Sequence, residues 1–245
     1  MTILTQDQTK KICDRVMSLT KADECIVNIE GNRIGNIRFA RNAVSTAGLA
    51  DDTRIQIQVA YGNKQGTTTI NEFDDKSLER AVRRAEDLAR LAPENPEFMP
   101  ALGKTAFKPS DTYVQATADI DPEYRAQAAA YAIEACRKKG LVSAGFLTDR
   151  TLFETVANSN GLFGHQSATS LDFTLTIRTE DGRGSGWAKR SARDVARFDP
   201  REAAEVAIEK AMRSVEAKAL EPGRYTVIME PAATSDLLVF MMNGF

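Results

Sequence analysis

Histidine and cysteine are scarce in this chain. Its 245 residues contain one histidine, His165, and three cysteines, Cys13, Cys25 and Cys136. Catalytic zinc sites commonly use two or more histidines, so this chain alone cannot complete a mechanism that requires two. The cysteines are odd in number, widely spaced and free of any CxxC pair, which suits reduced thiols better than a disulfide framework. Cysteine chemistry is therefore not expected.

Long apolar runs and an excess of charge of one sign are also missing. No run approaches the roughly 18 apolar residues of a spanning helix, and residues Met1–Gln6 are too short and polar for a signal peptide. The net charge is −2, from 32 basic and 34 acidic residues, which argues against a dominant phosphate-binding surface. The sequence predicts a cytoplasmic protein whose partners are neither a membrane nor, by default, a nucleic acid.

The hydrophobic pattern of residues 1–92 predicts an N-terminal α/β unit. It is expected to form a helix, an antiparallel meander, and a second helix with Leu78, Val82, Ala85 and Ala89 on its apolar face. The predicted strands are residues 25–29, 34–40, 43–49, 54–61 and 65–70, with turns at Gly31-Asn32 and Gly62-Asn63.

Residues 93–112 predict a proline-rich linker, and residues 113–219 a second α/β unit. The second unit has the same order of elements as the first. Its helices are predicted to begin at Asp121-Pro122 and Asp199-Pro200, with apolar faces of Tyr124, Ala128, Tyr131 and Ala135, and of Ala204, Ile208, Ala211, Met212 and Val215. Its strands are predicted at 141–148, 152–157, 167–179 and around Trp187, with Gly140 ending the first helix.

The shared order indicates two copies of one unit and an α+β fold. Matching residues of the two units lie at sequence separations that increase along the chain: Asn42 with Asn158, Val59 with Ile177, and Phe73-Asp74 with Phe198-Asp199. The alternative is that two unrelated meanders of this type look alike in sequence.

Residues 220–245 predict the start of a truncated C-terminal domain. A turn at 221–224, a strand at 225–229 and a helix from Pro231 lead into the apolar run Leu237–Met242. Six consecutive apolar residues cover every side of a helix, so other structure must bury them. The chain is thus expected to be a fragment of a longer protein, or else to use this run as a dimer interface.

Few residues of this sequence suggest a catalytic or ligand-binding role. His165, in a glycine-flanked turn or strand start, is more simply a satisfied or solvated side chain than a ligand. The run Gly182–Gly186 could form an anion-binding nest, but it lacks the lysine and following helix of a phosphate loop, which favours a flexible hairpin tip.

Charged clusters also have simple explanations. A basic stretch near Trp187 gives a faint nucleic-acid signature, but Glu180, Asp181 and Asp194 interrupt it, as on a solvated strand face. The basic residues of this stretch are Arg183, Lys189, Arg190, Arg193 and Arg197. The pairs Asp51-Asp52 and Asp74-Asp75 are expected in turns or at helix starts. No catalytic, cofactor-binding or metal-binding residue is assigned.

Several segments together resemble the TldD/PmbA family, described as zinc metalloproteases or modulators of DNA gyrase. The resemblance lies in residues 22–25, 36–42, 64–66, 77–82 and 88–93 for that family's amino-terminal domain, and in residues 221–231 for the opening of its carboxyl-terminal domain. It implies a catalytic TldD subunit paired with a TldE (PmbA) subunit around a chamber that receives peptides for proteolysis or maturation. In the catalytic type, an HExxxH helix soon after the strand matching 225–229 holds zinc.

This sequence departs from the family pattern at that motif. The matching stretch, 239–244, contains neither histidine nor carboxylate, so no zinc ligand carries over. The resemblance is therefore to the metal-free PmbA/TldE-like type: a noncatalytic subunit or fragment that forms a chamber, holds extended peptide substrates, and dimerises with a TldD-like subunit or with itself. Zinc is expected only in a catalytic partner or a missing C-terminal region.

Two alternatives stay open at this stage. The chain could be the N-terminal part of an active metalloprotease whose metal site lies beyond residue 245, or a regulator associated with DNA gyrase.

Overall fold

The computed structural model describes residues 3–244, and Met1, Thr2 and Phe245, which the signal-peptide and C-terminal predictions include, lie outside the described residues. The helices are α1 (Gln6–Leu19), α2 (Asp75–Leu91), α3 (Gln115–Ala118), α4 (Pro122–Lys138), α5 (Pro200–Arg213) and α6 (Pro231–Met242). The strands are β1 (Glu24–Ala40), β2 (Ala43–Tyr61), β3 (Lys64–Ile70), β4 (Leu141–Asn158), β5 (Phe163–Thr179) and β6 (Ser185–Ala192). The α+β class is confirmed.

All six strands form one antiparallel sheet in the order β3-β2-β1-β4-β5-β6. The central pair, β1 and β4, joins the two halves of the chain over 15 consecutive residue pairs, from Ile26–Asn158 to Ala40–Ala144. The predicted order of helix, meander and helix occurs twice, as α1-β1-β2-β3-α2 and α4-β4-β5-β6-α5. The predicted domain boundaries stay a prediction, since a single sheet spans both halves.

The strands are longer than the sequence predicts. The turn expected at Gly31-Asn32 is wrong, because β1 continues through Gly31, which pairs with Thr53 of β2 and Phe153 of β4. Neighbours on both sides supply ladder hydrogen bonds that outweigh the local preference of glycine for turns. Asp51-Asp52 likewise continues β2 and does not form the expected turn.

The predicted break near residue 149 is also wrong, because β4 runs through it. Asp149 faces the helices, where its Oδ1 accepts a 2.7 Å hydrogen bond from Nη1 of Arg125 on α4. A side chain that looks like a turn former in the sequence is therefore half of a buried ion pair.

Helices α1, α2, α4 and α5 pack on one face of the sheet. Their starts are confirmed at Asp74, Asp121 and Asp199, whose side chains accept hydrogen bonds from backbone N–H groups of the first helical turn. The apolar face of α2 is as predicted, and its four named residues are buried.

The prediction that two large side chains lie on the buried faces of α4 and α5 is wrong. Tyr131 of α4 and Met212 of α5 are 41% and 55% exposed. The buried faces consist mainly of alanine: Ala128, Ala129 and Ala132 on α4, and Ala203, Ala204, Ala207 and Ala211 on α5. Alanine lets a helix approach the sheet closely, so the larger side chains turn outward.

Two hydrophobic cores lie between the sheet and the helices, and the central strands β1 and β4 contribute residues to both. One lies beneath α1 and α2, around residues such as Val27, Ile57 and Val82. The other lies beneath α4 and α5, around residues such as Leu147, Phe173 and Ala207.

The C-terminal residues differ from the prediction in part. Helix α6 begins at Pro231 as expected. Residues 225–229 form no strand, because in the described part of the chain no strand lies beside them to pair with their backbone. The apolar run of α6, Leu237–Met242, is 49–77% exposed. No helix of the described residues is both long and apolar enough to cross a bilayer.

Candidate functional site

His165 lies near the start of β5, as the sequence indicates, and lines a groove. Its Nδ1 is 2.7 Å from the hydroxyl of Thr155 and 3.3 Å from that of Thr9, and its ring stacks on Phe153 at 5.9 Å between centroids. Burial lowers the pKa of the imidazole from its ordinary value. Hydrogen bonds with hydroxyl groups thus hold the imidazole in place, and its burial favours the neutral form over the charged one.

The groove beside His165 has a volume of about 1230 Å³. One wall is the start of α1 with the residues before it, another is the extended segment 105–110, and the floor is formed by β1, β4 and β5. Glu154 in this groove accepts a 2.8 Å hydrogen bond from Gln166. The lining mixes apolar and polar groups without a cluster of catalytic type.

The donor set of the described residues does not fit a catalytic zinc. Residues 3–244 contain no group of three or more His, Cys, Asp or Glu side chains arranged to hold a metal. The three cysteines are unpaired and buried, and burial raises the pKa of Cys13 and Cys25 to about 12 and of Cys136 to about 11. Because metals bind the thiolate, such thiols are poor ligands near neutral pH.

The glycine run 182–186 begins in the turn between β5 and β6, as a hairpin tip would, and its last two residues open β6. Oδ1 of Asp181 accepts hydrogen bonds from the Thr179 hydroxyl at 2.6 Å and from the Arg183 N–H at 3.1 Å. The hydrogen bond from Thr179 is the largest cause that lowers the pKa of Asp181 to about 2. An ionised carboxylate therefore already occupies this loop, which disfavours binding of an anion.

Three cations of the basic stretch, on β6 and in the turn before it, lie near carboxylates. Arg183 pairs with Asp181 at 2.7 Å, and Lys189 lies 3.8 Å from Asp172. Arg190 lies 3.9 Å from Glu202. Partly neutralised cations of this kind are typical of a solvated strand face.

The two free edges of the sheet differ, a feature that the sequence analysis did not locate. Strand β3 pairs with β2 only from Ile55 onward, and β6 pairs with β5 only from Leu171 onward. Among residues 3–244, residues 43–52 of β2 and 163–170 of β5 therefore pair with a strand on one side only. The edge of β5 is covered by the chain itself, whereas all of residues 43–52 are exposed. A weak sequence signal for the open edge is its run of short side chains without the alternation of a half-buried strand.

The covering segment is residues 105–114, which lie in the predicted linker up to residue 112 and extend into the predicted second unit. The backbone N–H of Thr169 donates to the carbonyl of Thr112 at 3.0 Å, and the Thr112 hydroxyl donates to the carbonyl of Ser167 at 2.8 Å. Nearby, the ring of Phe107 lies against Gly164, where a Cβ would come within 2.6 Å of it. Thr112, through its backbone carbonyl and its hydroxyl, thus occupies this edge.

Comparisons with known proteins agree with the fold. Residues 26–89 match the model of the PmbA/TldA metallopeptidase domain 1, and residues 107–215 match that of the PmbA/TldA metallopeptidase central domain. A search of curated proteins finds no match.

Three solved structures are similar. TldE from Thermococcus kodakarensis is 16% identical, with a TM-score of 0.75 over 83% of this chain and 47% of that one. A protein from Thermotoga maritima, described as a candidate modulator of a DNA gyrase, is 18% identical, with a TM-score of 0.78 over 88% and 50%. One from Bacteroides thetaiotaomicron with a similar description is 19% identical, with a TM-score of 0.82 over 98% and 57%. The chain spans about half the length of these structures.

Proposed function

Since the chain belongs to the TldD/PmbA family, we propose that it acts as the noncatalytic, TldE-type subunit of a two-subunit peptidase, with zinc chemistry supplied by a TldD-like partner. The observation that carries this proposal is the donor set. The only histidine is bound by hydroxyls of Thr9 and Thr155, and the thiols are buried with raised pKa values.

The proposed role is to shape a chamber and to hold extended peptides in it. The face of the sheet opposite the helices supports this role, because it presents two exposed aromatic side chains, Phe146 on β4 and Trp187 on β6, which are 41% and 40% exposed and have β5 between them. A strand edge without a neighbour can also hold a peptide through main-chain hydrogen bonds. Chamber formation, proteolysis and peptide maturation are proposals for this chain.

A direct role at DNA gyrase is a weaker candidate. Two similar structures carry that description, yet the strongest basic stretch of this chain faces carboxylates. A protein that binds DNA through phosphate contacts must lose affinity as salt rises. The cytoplasmic location stays a prediction.

The test is reconstitution from the complete gene products. This protein and a TldD-like subunit from the same genome are purified separately and mixed, and hydrolysis of an unstructured peptide is followed for each alone and together. We expect the two to copurify and the mixture to cleave, with cleavage lost on chelation or on a Glu→Gln change in the partner's HExxxH helix. Chelator-sensitive cleavage by this protein alone, or the absence of any association, would overturn the proposal.

A further inference from the structure

We propose that residues 43–52, the open edge of β2, bind one extended peptide segment by strand addition. This inference deepens the proposed function and rests on it, because it names the place where the subunit holds peptide. It arises from comparing the two halves of the sheet.

The internal repeat makes the two free edges equivalent. Val59 pairs with Gly66 of β3, and Ile177 pairs with Gly186 of β6. These two pairs occupy the same place in the two halves. A residue of β2 therefore corresponds to the residue of β5 that lies 118 positions later in the sequence, as Ile177 does for Val59. By the same spacing, Leu49 and Asp51 correspond to Ser167 and Thr169.

The direction of the backbone groups follows from the β2–β3 hairpin. Tyr61 and Lys64 flank the two-residue turn Gly62-Asn63 and pair with each other, so Tyr61 directs its N–H and C=O toward β3. Every second residue of β2 then points the same way, and no strand of residues 3–244 pairs with residues 43–52 on that side. Ala47, Leu49 and Asp51 therefore present N–H and C=O groups at the free edge. The pairing of β1 with β2 changes register only between Arg38 and Phe39, which pair outside this stretch, so the alternation of directions holds from Ala47 to Asp51.

The β5 edge shows what kind of group binds at such positions. There the equivalents of Leu49 and Asp51 both bind Thr112: the Ser167 carbonyl accepts from its hydroxyl at 2.8 Å, and the Thr169 N–H donates to its backbone carbonyl at 3.0 Å. Among residues 3–244, no segment covers the β2 edge in this way. The occupant that the fold itself indicates is a single segment of polypeptide lying along the edge.

The chemistry of the edge favours a peptide over a second copy of the chain. Its ten residues carry no side chain larger than that of Leu49, so they leave room for a backbone but offer little apolar area. Stable dimers bury about 800 Å² per partner, far more than one short strand of this kind supplies. Recognition through the main chain also makes the site tolerant of peptide sequence.

The test is residue-resolved hydrogen exchange on the full-length protein. The probe is an unstructured peptide with blocked ends, rich in Thr, Ser and Ala. We expect the amides of Ala47, Leu49 and Asp51 to exchange more slowly as the peptide is added, while that of Thr169, already bonded, does not change. Peptide binding without protection of these three amides would overturn the proposal, as would protection that depends only on protein concentration, which would indicate pairing of two copies.

A variant pair gives a second readout. Leu49→Pro removes an outward N–H that β1 does not use, and Leu49→Ala keeps it. We expect the proline variant to bind the probe about two- to tenfold more weakly, the effect of losing one hydrogen bond, and the alanine variant to bind as the parent does. Equal affinities of the folded variants would contradict strand addition here. If the edge fails these tests while the protein still supports cleavage by the partner, the subunit role stands and only the edge assignment falls.

Discussion

Gly66 and Gly186 occupy equivalent positions in the two halves of the molecule. A Cβ on Gly66 would lie 2.2 Å from the carbonyl oxygen of Ala85 on α2, and a Cβ on Gly186 would lie 2.0 Å from that of Ala207 on α5. In both halves, the absence of a side chain on the outer strand lets an alanine-faced helix pack directly on it. The same contact made twice supports the internal repeat better than the sequence landmarks do.

These contacts predict that alanine is not tolerated at either glycine. Gly66→Ala and Gly186→Ala must each push a helix backbone away from the sheet, so we expect each to lower the free energy of unfolding by at least about 1–3 kcal/mol. Urea denaturation measures the change. Gly103→Ala is the matched control, since a Cβ there meets nothing within 4 Å. Similar effects at all three positions would mean that the close helix contact is not the cause.

The buried ion pair of Arg125 and Asp149 gives a second prediction. Both side chains are nearly inaccessible, 6% and 11% exposed. Arg125→Met leaves the carboxylate of Asp149 buried without its partner and is expected to cost about 3–5 kcal/mol of unfolding free energy. The double variant Arg125→Met/Asp149→Leu should recover most of that loss, because it removes both charges. A double variant as unstable as the single one would show that the pair is not the source of the effect.

Glu86 predicts a loss of stability in acid. Its side chain is 1% exposed, and burial alone would raise its pKa. Hydrogen bonds from the Lys21 N–H and from Arg83, at 2.6 and 2.7 Å, outweigh burial and lower the pKa below its ordinary value of 4.5. The folded state therefore binds this proton less readily than the unfolded state does, so the stabilisation is present above pH 4.5 and disappears as the pH falls through the lowered pKa.

The check is urea denaturation of Glu86→Gln across the acid range. We expect a loss of about 1–3 kcal/mol near neutral pH, from the buried hydrogen bonds, and a flatter dependence on pH below 4.5. Asp87→Asn serves as control, since Asp87 is 71% exposed and pairs only at the surface with Arg90. An unchanged acid slope in Glu86→Gln would refute this assignment.

His165 can be titrated without ambiguity because the chain has no other histidine. Burial lowers the pKa of its imidazole, so the midpoint of its NMR titration should fall below 6.5 in the folded protein and return toward 6.5 in urea. A folded-state midpoint at or above 6.5 would mean that the ring is more open to solvent, or nearer to a carboxylate, than the structure has it.

Local signals in the sequence predict the helices well. Asp74, Asp121 and Asp199 each precede a helix and cap it, because capping depends on neighbours within one turn. The strands are harder to predict. Glycine and aspartate are residue types common in turns. Pairing with distant strands keeps Gly31 in the sheet, and strand pairing together with the hydrogen bond from Arg125 keeps Asp149 there.

The candidate site was only partly predictable for the same reason. The sequence places His165 at a strand start and provides no zinc ligands at residues 239–244. It does not reveal that residues 105–114 cover one edge of the sheet. That contact depends on Thr112 meeting Ser167 and Thr169 across more than fifty residues of chain, which no short pattern encodes.

The most direct measurement for the central claim is the zinc content of the purified chain. Residues 1–245 are expressed in zinc-supplemented medium, passed through a desalting column and assayed for metal by mass spectrometry, with His165→Gln as a matched variant. The account predicts zinc far below one equivalent per chain in both proteins. Stoichiometric zinc that survives desalting, and that is lost in His165→Gln, would contradict it.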